Sequence, residues 1–262
     1  MNPSRQSPAH PRVALVTGGG RGIGRAISLR LARDGIAVAV NYRRDRDAAA
    51  ATVDAIENAG GTARAYQASV DVWEDDTRLV EELLADFGKV DILVHNGGIA
   101  SRGNSVAETD PGEMERVVRT HAFGPFYLSK LLVPQMRSLE RGDVIFISSV
   151  AAQHFGANGS PYNMGKSAAE ALARTLAAEE QRHNIRVNIV APGLITTEMG
   201  NRLAKAVTGG AVSAAVELDS RFPFGHVGRP EDVAEVVGFL VSEAGAYLSR
   251  QRISVDGGGA SI

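Results

Sequence analysis

A tyrosine and a lysine stand four residues apart in the segment "SPYNMGKSAAEALA", as Tyr162 and Lys166. This spacing predicts that the two side chains lie one turn apart on the same face of a helix. A free phenol loses its proton near pH ~10, and a neighbouring ammonium favours the phenolate and lowers that pKa. The pair could therefore exchange a proton with the oxygen of an alcohol or a ketone.

A serine supplies a third polar group for the same chemistry. Ser149 precedes Tyr162 by 13 residues and ends the apolar run "DVIFISS", which predicts a buried strand. Ligands of open α/β sheets bind at the carboxyl ends of strands, where the Ser149 hydroxyl could donate to a substrate oxygen. Taken singly, the three residues also fit a helix cap, a core aromatic and a solvated charge, whereas their combination favours catalysis.

The segments that position these residues alternate between strand and helix. Runs such as "RVALVTG", "IAVAVNY" and "IRVNIVAPG" read as buried strands, and segments with helical spacing separate them. Such alternation predicts a single doubly wound α/β Rossmann domain over residues 12–262, with about seven parallel strands flanked by helices. Long helices are expected near 111–137 and 161–183. Residues 1–11 are expected to be a flexible tail, and the irregular segment 194–229 to be a substrate lid.

Composition excludes several classes of function. The 262 residues carry a formal net charge of −2, which gives no electrostatic case for nucleic acid or an anionic membrane as partner. The absence of cysteine removes thiol nucleophiles and Cys-ligated metals, and the histidines lack metal-ligand spacing. No apolar run reaches the ~18 residues of a membrane span. A cytoplasmic enzyme without a metal is the expectation.

A glycine cluster, "TGGGRGIG", lies between the first predicted strand and the first predicted helix. Gly18 and Gly22 permit a tight turn, and Gly24 permits close packing of the helix on the strand. The unpaired N–H groups at the helix N-terminus would then face a pyrophosphate. A structural turn without a ligand is the alternative, and the lack of a following Gly-Lys-Ser/Thr excludes a Walker-type phosphate loop.

The order of these motifs resembles the short-chain dehydrogenase/reductase family over residues 12–259. The matching pieces are "TGGGRGIG", "HNGG" at 95–98, Ser149, Tyr162, Lys166, "PG" at 192–193 and "VDGG" at 255–258. The resemblance implies hydride transfer between a nicotinamide and a carbonyl or secondary alcohol, with Tyr162 as general acid and base. It also implies that Lys166 holds the nicotinamide ribose, and that the protein is a homo-oligomer, a tetramer or dimer, built on the two long helices.

The choice of dinucleotide depends on the end of the second predicted strand, "VAVNYRRD". NAD-selective sites of this fold usually carry an acidic residue there, whereas this chain has Tyr42 followed by Arg43 and Arg44. Arg21 in the glycine turn is expected to point to the same region. Guanidinium groups bind a 2′-phosphate well, so NADP(H) is favoured and NAD(H) is the alternative. The arginines could instead simply begin a solvated helix.

The resemblance implies a larger set of cofactor contacts, to which Ile195 contributes packing on the nicotinamide and Thr197 a hydrogen bond to its carboxamide. Ser69 stands where the family commonly has an aspartate beside the adenine. The full predicted set is Thr17, Gly18, Arg21, Gly22, Ile23, Gly24, Tyr42, Arg43, Arg44, Ser69, Val70, Asn96, Gly97, Tyr162, Lys166, Pro192, Gly193, Ile195 and Thr197.

One position departs from the family in a way that bears on proton transfer. Many members carry an asparagine in a pattern like Asn-x-x-Gly-x-Phe that helps hold a relay water, and this chain has His121 there. Pro125 lacks the N–H that would bond the His121 carbonyl, so a kink is expected. We hypothesise that this carbonyl holds the water and that the imidazole replaces or supplements the asparagine. A packed histidine without a catalytic part is the alternative.

The leading interpretation is an NADPH-dependent carbonyl reductase, resembling the branch with 3-oxoacyl-(acyl-carrier-protein) reductases and glucose dehydrogenase-like enzymes. Its substrate could be a 3-oxoacyl thioester, a sugar or polyol, or a cyclic ketone. Phe222 and Phe224 in the predicted lid favour an apolar substrate slightly. The alternative class is a catalytically silent regulator that binds NADP(H), which the His121 substitution favours slightly.

Overall fold

The computed structural model describes residues 11–259 of the chain. The expected flexible tail therefore lies outside the described residues, apart from Pro11. Within the described range, seven parallel strands form one sheet in the order β3-β2-β1-β4-β5-β6-β7. The strands are β1 Val13–Val16, β2 Ala37–Tyr42, β3 Ala63–Gln67, β4 Ile92–His95, β5 Gly142–Ile147, β6 Ile185–Pro192 and β7 Arg252–Val255.

Helices cover both faces of the sheet, as the doubly wound prediction requires. They are α1 Gly22–Arg33, α2 Arg46–Asn58, α3 Trp73–Phe87, α4 Pro111–Val118, α5 Gly124–Met136, α6 Ala151–His154, α7 Ser160–Glu180, α8 Glu198–Val207 and α9 Pro230–Val241. Short 3-10 helices are Gln181–His183, Ala215–Arg221 and Glu243–Gly245. Among residues 11–259, no helix has both the length and the apolar character to cross a membrane.

Alternate side chains of the strands supply two separate cores. In β1, Val16 packs on the face covered by α1 and α9, whereas Leu15 packs on the face covered by α3, α5 and α7. Both side chains are fully buried. This two-sided burial explains why the strands read as continuous apolar runs rather than as alternating patterns.

The helix expected over 111–137 is interrupted. A π-helix spans Arg119–Phe123 between α4 and α5, with the Gly124 N–H bonded to the Arg119 carbonyl. The irregularity falls at the predicted place, just before Pro125, and its form is one extra residue per turn. Proline has no backbone N–H to donate, and the wider π-helical turn accommodates this loss. Such turns are frequent at functional sites.

The segment 194–229, expected to be irregular, contains α8 and the 3-10 helix Ala215–Arg221. It has a small apolar core of its own, formed by Leu194, Ala204, Ala215, Leu218, Phe222 and Val227. Phe222 is packed in this small core and also lines a cavity together with Phe224. Helix α8 exposes Leu203 and Val207 and buries only the small residues Gly200 and Ala204.

Candidate active site

The glycine turn after β1 is hydrogen-bonded to β2 and to the loop that follows β4. Thr17 Oγ1 accepts hydrogen bonds from the N–H groups of Asn96 and Gly97, at 2.9 and 2.8 Å. Asn96 Nδ2 donates back to the Thr17 carbonyl at 2.8 Å. On the other side, the Gly18 N–H donates to Asn41 Oδ1 at 3.2 Å. Because both sides are held, the protein itself fixes the shape of the turn.

The backbone of this turn requires glycine. Gly18 and Gly22 have φ of +60° and +51°, in the left-handed region. A Cβ on Gly24 would lie 2.1 Å from the Gly18 carbonyl oxygen, so α1 could not pack this closely with a larger residue. Arg21 precedes α1 and makes no side-chain capping bond, so no side-chain cap covers the N–H groups of the first turn. These features fit the pyrophosphate of a dinucleotide.

The residues predicted to select the dinucleotide lie at the ends of β1 and β2. Tyr42 ends β2 and is partly buried against the core, and Arg43 and Arg44 are exposed beyond it. Arg21, expected to point to the same region, instead pairs with Glu198 of α8, with 3.0 Å between Nη1 and Oε2. Both side chains of that pair are well exposed, so their attraction is weak and easily exchanged.

The two residues predicted beside the adenine follow β3. The Ser69 N–H donates to Asp75 Oδ2 at 2.9 Å, and the Ser69 hydroxyl donates to Asp71. A Cβ on Gly124 would lie 2.5 Å from the Val70 carbonyl oxygen, so the start of α5 abuts this loop. Ser69 is therefore engaged with local carboxylates in a loop that borders the π-helix.

The predicted nicotinamide side begins at the end of β6. The Val150 N–H donates to the Pro192 carbonyl at 3.0 Å, which ties the loop after Ser149 to the "PG" turn. Thr197 Oγ1 accepts from the Gly200 N–H at 3.0 Å and caps α8. Its Cγ2 atom lies 3.4 Å from the position of a Cβ on Gly22. The first part of the expected lid therefore contacts the glycine turn.

Remaining members of the predicted cofactor set lie at this same edge. Gly193 follows β6 and donates its N–H to the Val255 carbonyl at 2.9 Å. Ile195 is buried and pairs with Gly228 in an isolated parallel bridge. Ile23 is the second residue of α1 and is half-buried. The carboxyl ends of the strands therefore bring the predicted cofactor residues to one side of the sheet.

The three predicted catalytic residues converge at the end of β5 and the start of α7. The hydroxyl of Tyr162 is within hydrogen-bonding reach of Ser149. Lys166 Nζ lies 5.7 Å from the centre of the Tyr162 ring and donates to the Ile147 carbonyl at 2.7 Å. The helical spacing thus places the ammonium beside the phenol, as predicted, and the β5 carbonyl holds it there.

Burial is the main influence on the pKa values of Tyr162 and Lys166. Desolvation raises the pKa of Tyr162, and the hydrogen bond with Ser149 acts in the opposite direction. Desolvation lowers the pKa of Lys166 to about 8, while the negative charge of Glu170 raises it. We expected Lys166 to lower the pKa of the phenol. In the protein alone the direction is opposite, because burial penalises the phenolate more than the other groups favour it.

His121 lies against Tyr162. Its ring meets the Tyr162 ring edge-on, with 5.2 Å between the centres, and only 3 % of the residue is exposed. Nε2 lies 2.8 Å from the Ile99 carbonyl oxygen and 3.3 Å from the Ile99 backbone nitrogen, so both main-chain polar groups of Ile99 face the imidazole. Burial and the charge of Lys166 lower the pKa of His121 to about 3. The imidazole is therefore neutral at physiological pH.

Comparison with known proteins agrees with this geometry. A family model described as Enoyl-(Acyl carrier protein) reductase matches residues 18–260. A probable tetrahydroxynaphthalene reductase of Zymoseptoria tritici is 36 % identical over 94 % of this chain and 93 % of its own. The chain belongs to the short-chain dehydrogenase/reductase family.

Two further relatives show how varied the family is at this level of similarity. A 3-oxoacyl-[acyl-carrier-protein] reductase of Staphylococcus epidermidis is 35 % identical over 94 % of this chain and 97 % of its own. A solved structure of NAD⁺-bound xylitol dehydrogenase has a TM-score of 0.88 and 27 % identity, over 96 % of this chain and all of that one. The protein is accordingly an oxidoreductase of a family that binds NAD(P)(H).

Other features of the short-chain dehydrogenase/reductase site went unpredicted. Asn41 braces the glycine turn, and the only signal for it was a polar residue inside the apolar run "VAVNY". A cavity of about 380 Å³ is lined by Phe224, His226 and Asp256 among others, but not by Ser149, Tyr162 or Lys166. Within residues 11–259, no cluster of His, Asp, Glu or Cys is arranged to hold a metal ion.

Proposed function

We propose that the protein is an NADP(H)-dependent carbonyl reductase in which Tyr162 is the general acid. The convergence of Ser149, Tyr162 and Lys166 carries this proposal. A dinucleotide held by the glycine turn would supply the hydride for the carbonyl carbon. The Tyr162 hydroxyl gives its proton to the carbonyl oxygen, and the Ser149 hydroxyl donates a hydrogen bond to the same oxygen. In the reverse direction Tyr162 accepts the proton of the alcohol.

The ionisation of the site supports reduction as the direction favoured near neutral pH. Because burial raises the pKa of Tyr162, the phenol keeps its proton at neutral pH and is ready to act as an acid. Alcohol oxidation needs the phenolate, and its rate is expected to rise with pH. The positive charge of Lys166 stabilises negative charge at the tyrosine oxygen during either reaction.

The preference for NADP(H) over NAD(H) is supported by the end of β2. Arg43 and Arg44 are exposed where the dinucleotide ribose is expected, and Tyr42 offers no carboxylate to the 2′-hydroxyl. A guanidinium group can make charge-assisted hydrogen bonds to a 2′-phosphate, whereas a carboxylate would repel it. Arg21 could join them by exchanging its exposed contact with Glu198.

A cyclic ketone is the substrate class that we favour. Phe155 lies between Ser149 and Tyr162 in the chain, is 62 % exposed and has a left-handed φ of 48°, a costly conformation for a bulky residue. Exposed Leu203 and Val207 on α8 of the proposed lid add apolar surface. The name of the tetrahydroxynaphthalene reductase relative points the same way. The names of the 3-oxoacyl-[acyl-carrier-protein] reductase and the xylitol dehydrogenase leave 3-oxoacyl thioesters and polyols as alternative substrates.

His121 is proposed as a positioning residue for Tyr162. Its imidazole packs on the phenol ring and is anchored to Ile99, and its carbonyl is the candidate holder of a relay water. A His121→Asn variant is expected to change the dependence of kcat on pH while NADPH still binds. An unchanged pH profile would show that the imidazole only fills space.

The proposed function is tested by a screen of NADPH oxidation against cyclic ketones, quinones, 3-oxoacyl thioesters and sugars. Wild type should reduce at least one class, and Tyr162→Phe should lower kcat by about a thousandfold or more while the Kd for NADPH changes less than about twofold. Ser160→Ala, on the same helical turn, is the matched control. Binding of NADPH without turnover of any substrate would favour the silent regulator instead.

A further inference from the structure

Glu170 is a buried carboxylate one turn beyond the catalytic lysine on α7. Its Oε1 atom accepts hydrogen bonds from Ser148 Oγ at 2.7 Å and from Arg252 Nε at 2.9 Å. Its Oε2 atom lies 3.5 Å from Arg174 Nη2. The side chains of Glu170 and Arg252 are each 9 % exposed, so solvent and salt screen their attraction weakly.

Arg252 connects the edge strand β7 to the catalytic strand β5. Its Nη2 atom donates to the Ser149 carbonyl at 3.1 Å, and its Nη1 atom donates to Ser254 Oγ at 2.9 Å. Arg252 therefore holds the main chain of the catalytic serine, while Glu170 holds the side chain of Ser148. Together the two residues fix the end of β5 against α7.

The same pair sets the charge around Lys166. Glu170 is the negative group that raises the pKa of Lys166 against the effect of burial. The other polar groups facing the lysine are the Ile147 carbonyl of β5, Tyr162 on its own helix, and the neutral imidazole of His121 from the π-helix. Arg252 balances part of the Glu170 charge, so losing either member of the pair changes the field at Lys166.

We propose that the Glu170–Arg252 pair is a positioning device of the active site, which fixes Ser149 against Tyr162 and places a negative charge one helical turn from Lys166. The proposal rests on the proposed reductase function. Neither residue needs to touch the substrate, because each acts through a residue that does. A pair that served stability alone would leave the ionisation of Lys166 and the placement of Ser149 unchanged.

The charge component is tested with Glu170→Gln, which keeps a side-chain oxygen for Ser148 and Arg252 but removes the negative charge. Lysine ¹³Cε NMR, with the signal assigned by Lys166→Arg, measures the titration of Lys166 whether or not a substrate is known. The titration is expected to move to lower pH in Glu170→Gln. In reduction assays, kcat should then fall about threefold or more at pH 8 relative to wild type, and less at pH 6.

The placement component is tested with Arg252→Gln against Arg174→Gln, a control that removes the same charge from the other oxygen of Glu170. Arg174 is half-exposed and makes no contact with Ser149 among the described residues. We expect Arg252→Gln to lower kcat about tenfold or more, with the Kd for NADPH nearly unchanged, and Arg174→Gln to stay within about twofold of wild type.

Three results would overturn the proposal. One is a Lys166 titration that is the same in wild type and Glu170→Gln. Another is an equal kcat for the Arg252 and Arg174 variants. If Glu170→Gln or Arg252→Gln fails to fold, Ser148→Ala replaces that variant. Ser148→Ala is expected to lower kcat about fivefold and to leave the Lys166 titration unchanged. An unchanged kcat for Ser148→Ala is then the third contrary result. Absence of wild-type turnover would contradict the reductase function, whereas the NMR titration would still decide the role of Glu170.

Discussion

At the scale of single residues, this protein uses burial to tune ionisable groups. Lys166 and His121 are buried and Tyr162 is half-buried, and desolvation is the largest influence on each of their pKa values. Burial favours the neutral form of each group. A tyrosine that stays protonated and a lysine whose pKa falls to about 8 suit an acid catalyst that works near neutrality.

Asp76 shows the same effect outside the site. It lies in the first turn of α3, is fully buried, and neither carboxylate oxygen has a hydrogen-bond partner among the described residues. Desolvation, together with the charges of Asp75 and Asp71, raises the pKa of Asp76 to about 8. Because the folded state keeps a proton that the unfolded state has lost, folding becomes less favourable as pH rises from about 4 to about 8.

Asp76→Asn is therefore expected to flatten the dependence of stability on pH. The wild-type free energy of unfolding should carry a contribution that falls by up to ~1.4 kcal/mol per pH unit within that window, and the asparagine variant lacks it. Urea unfolding at pH 5, 6.5 and 8 measures the difference. Glu81→Gln, exposed on the same helix, should follow the wild type. Parallel curves for wild type and Asp76→Asn would contradict the assigned protonation.

At the scale of elements, short connections place the chemistry. The turn between β1 and α1 is tight because Gly24 lets the helix approach the Gly18 carbonyl. In α7, one helical turn aligns Tyr162 with Lys166. The π-helix before Pro125 brings His121 into contact with Tyr162. Each of these elements has either an irregular backbone or a fixed residue spacing that positions a side chain of the candidate site.

Gly24→Ala should damage both stability and cofactor binding. The added methyl group would meet the Gly18 carbonyl and Asn96 Nδ2 at 2.1 and 2.6 Å, so the turn must move. We expect a loss of about 1–3 kcal/mol in unfolding free energy and a Kd for NADPH at least about tenfold weaker. Gly156→Ala is the control, since nothing lies within 4 Å of its Cβ position. Equal Kd values for the two variants would refute the role of the glycine turn.

At the scale of the whole molecule, the parallel sheet gathers distant segments at one edge. The predicted cofactor and catalytic residues lie beyond the ends of β1 to β6, and β1 and β4 are neighbours at the point where the strand order reverses. One buried core packs on each face of the sheet and holds the strands in place.

We also propose a cytoplasmic homotetramer. Exposed Phe123 and Phe126 beside the π-helix offer an apolar contact surface, and light scattering of the purified protein would test the assembly.

Cofactor binding should stabilise the whole fold and reveal the preferred dinucleotide. At a concentration of about 100 times its Kd, a ligand adds ~2.7 kcal/mol, which corresponds to a rise in Tm of roughly 5–10 °C for a domain of this size. NADPH should raise Tm more than NADH at equal concentration. Arg43→Ala should narrow that gap, while Arg182→Ala, exposed and beyond α7, should leave it unchanged. A larger shift with NADH would refute the NADP(H) preference.

The sequence by itself determined the elements and much of the site. Its alternation of apolar runs and helical spacings predicted the parallel sheet, because covered strands must be apolar on both faces. The four-residue spacing of Tyr162 and Lys166 placed both on one helical face, and Pro125 marked the interruption of the long helix. These are local properties of the chain, which backbone geometry and hydrogen bonding fix within a few residues.

Only the tertiary structure decided the contacts between distant segments. Arg252 meets Glu170 across 82 residues of sequence, and His121 meets Ile99 across 22. The helices inside 194–229 and the burial of Asp76 also depend on neighbours that no local pattern names. The desolvation that raises the pKa of Tyr162 was likewise not predicted from its spacing to Lys166. Desolvation depends on every atom packed around a group, whereas the sequence shows only which groups are near along the chain.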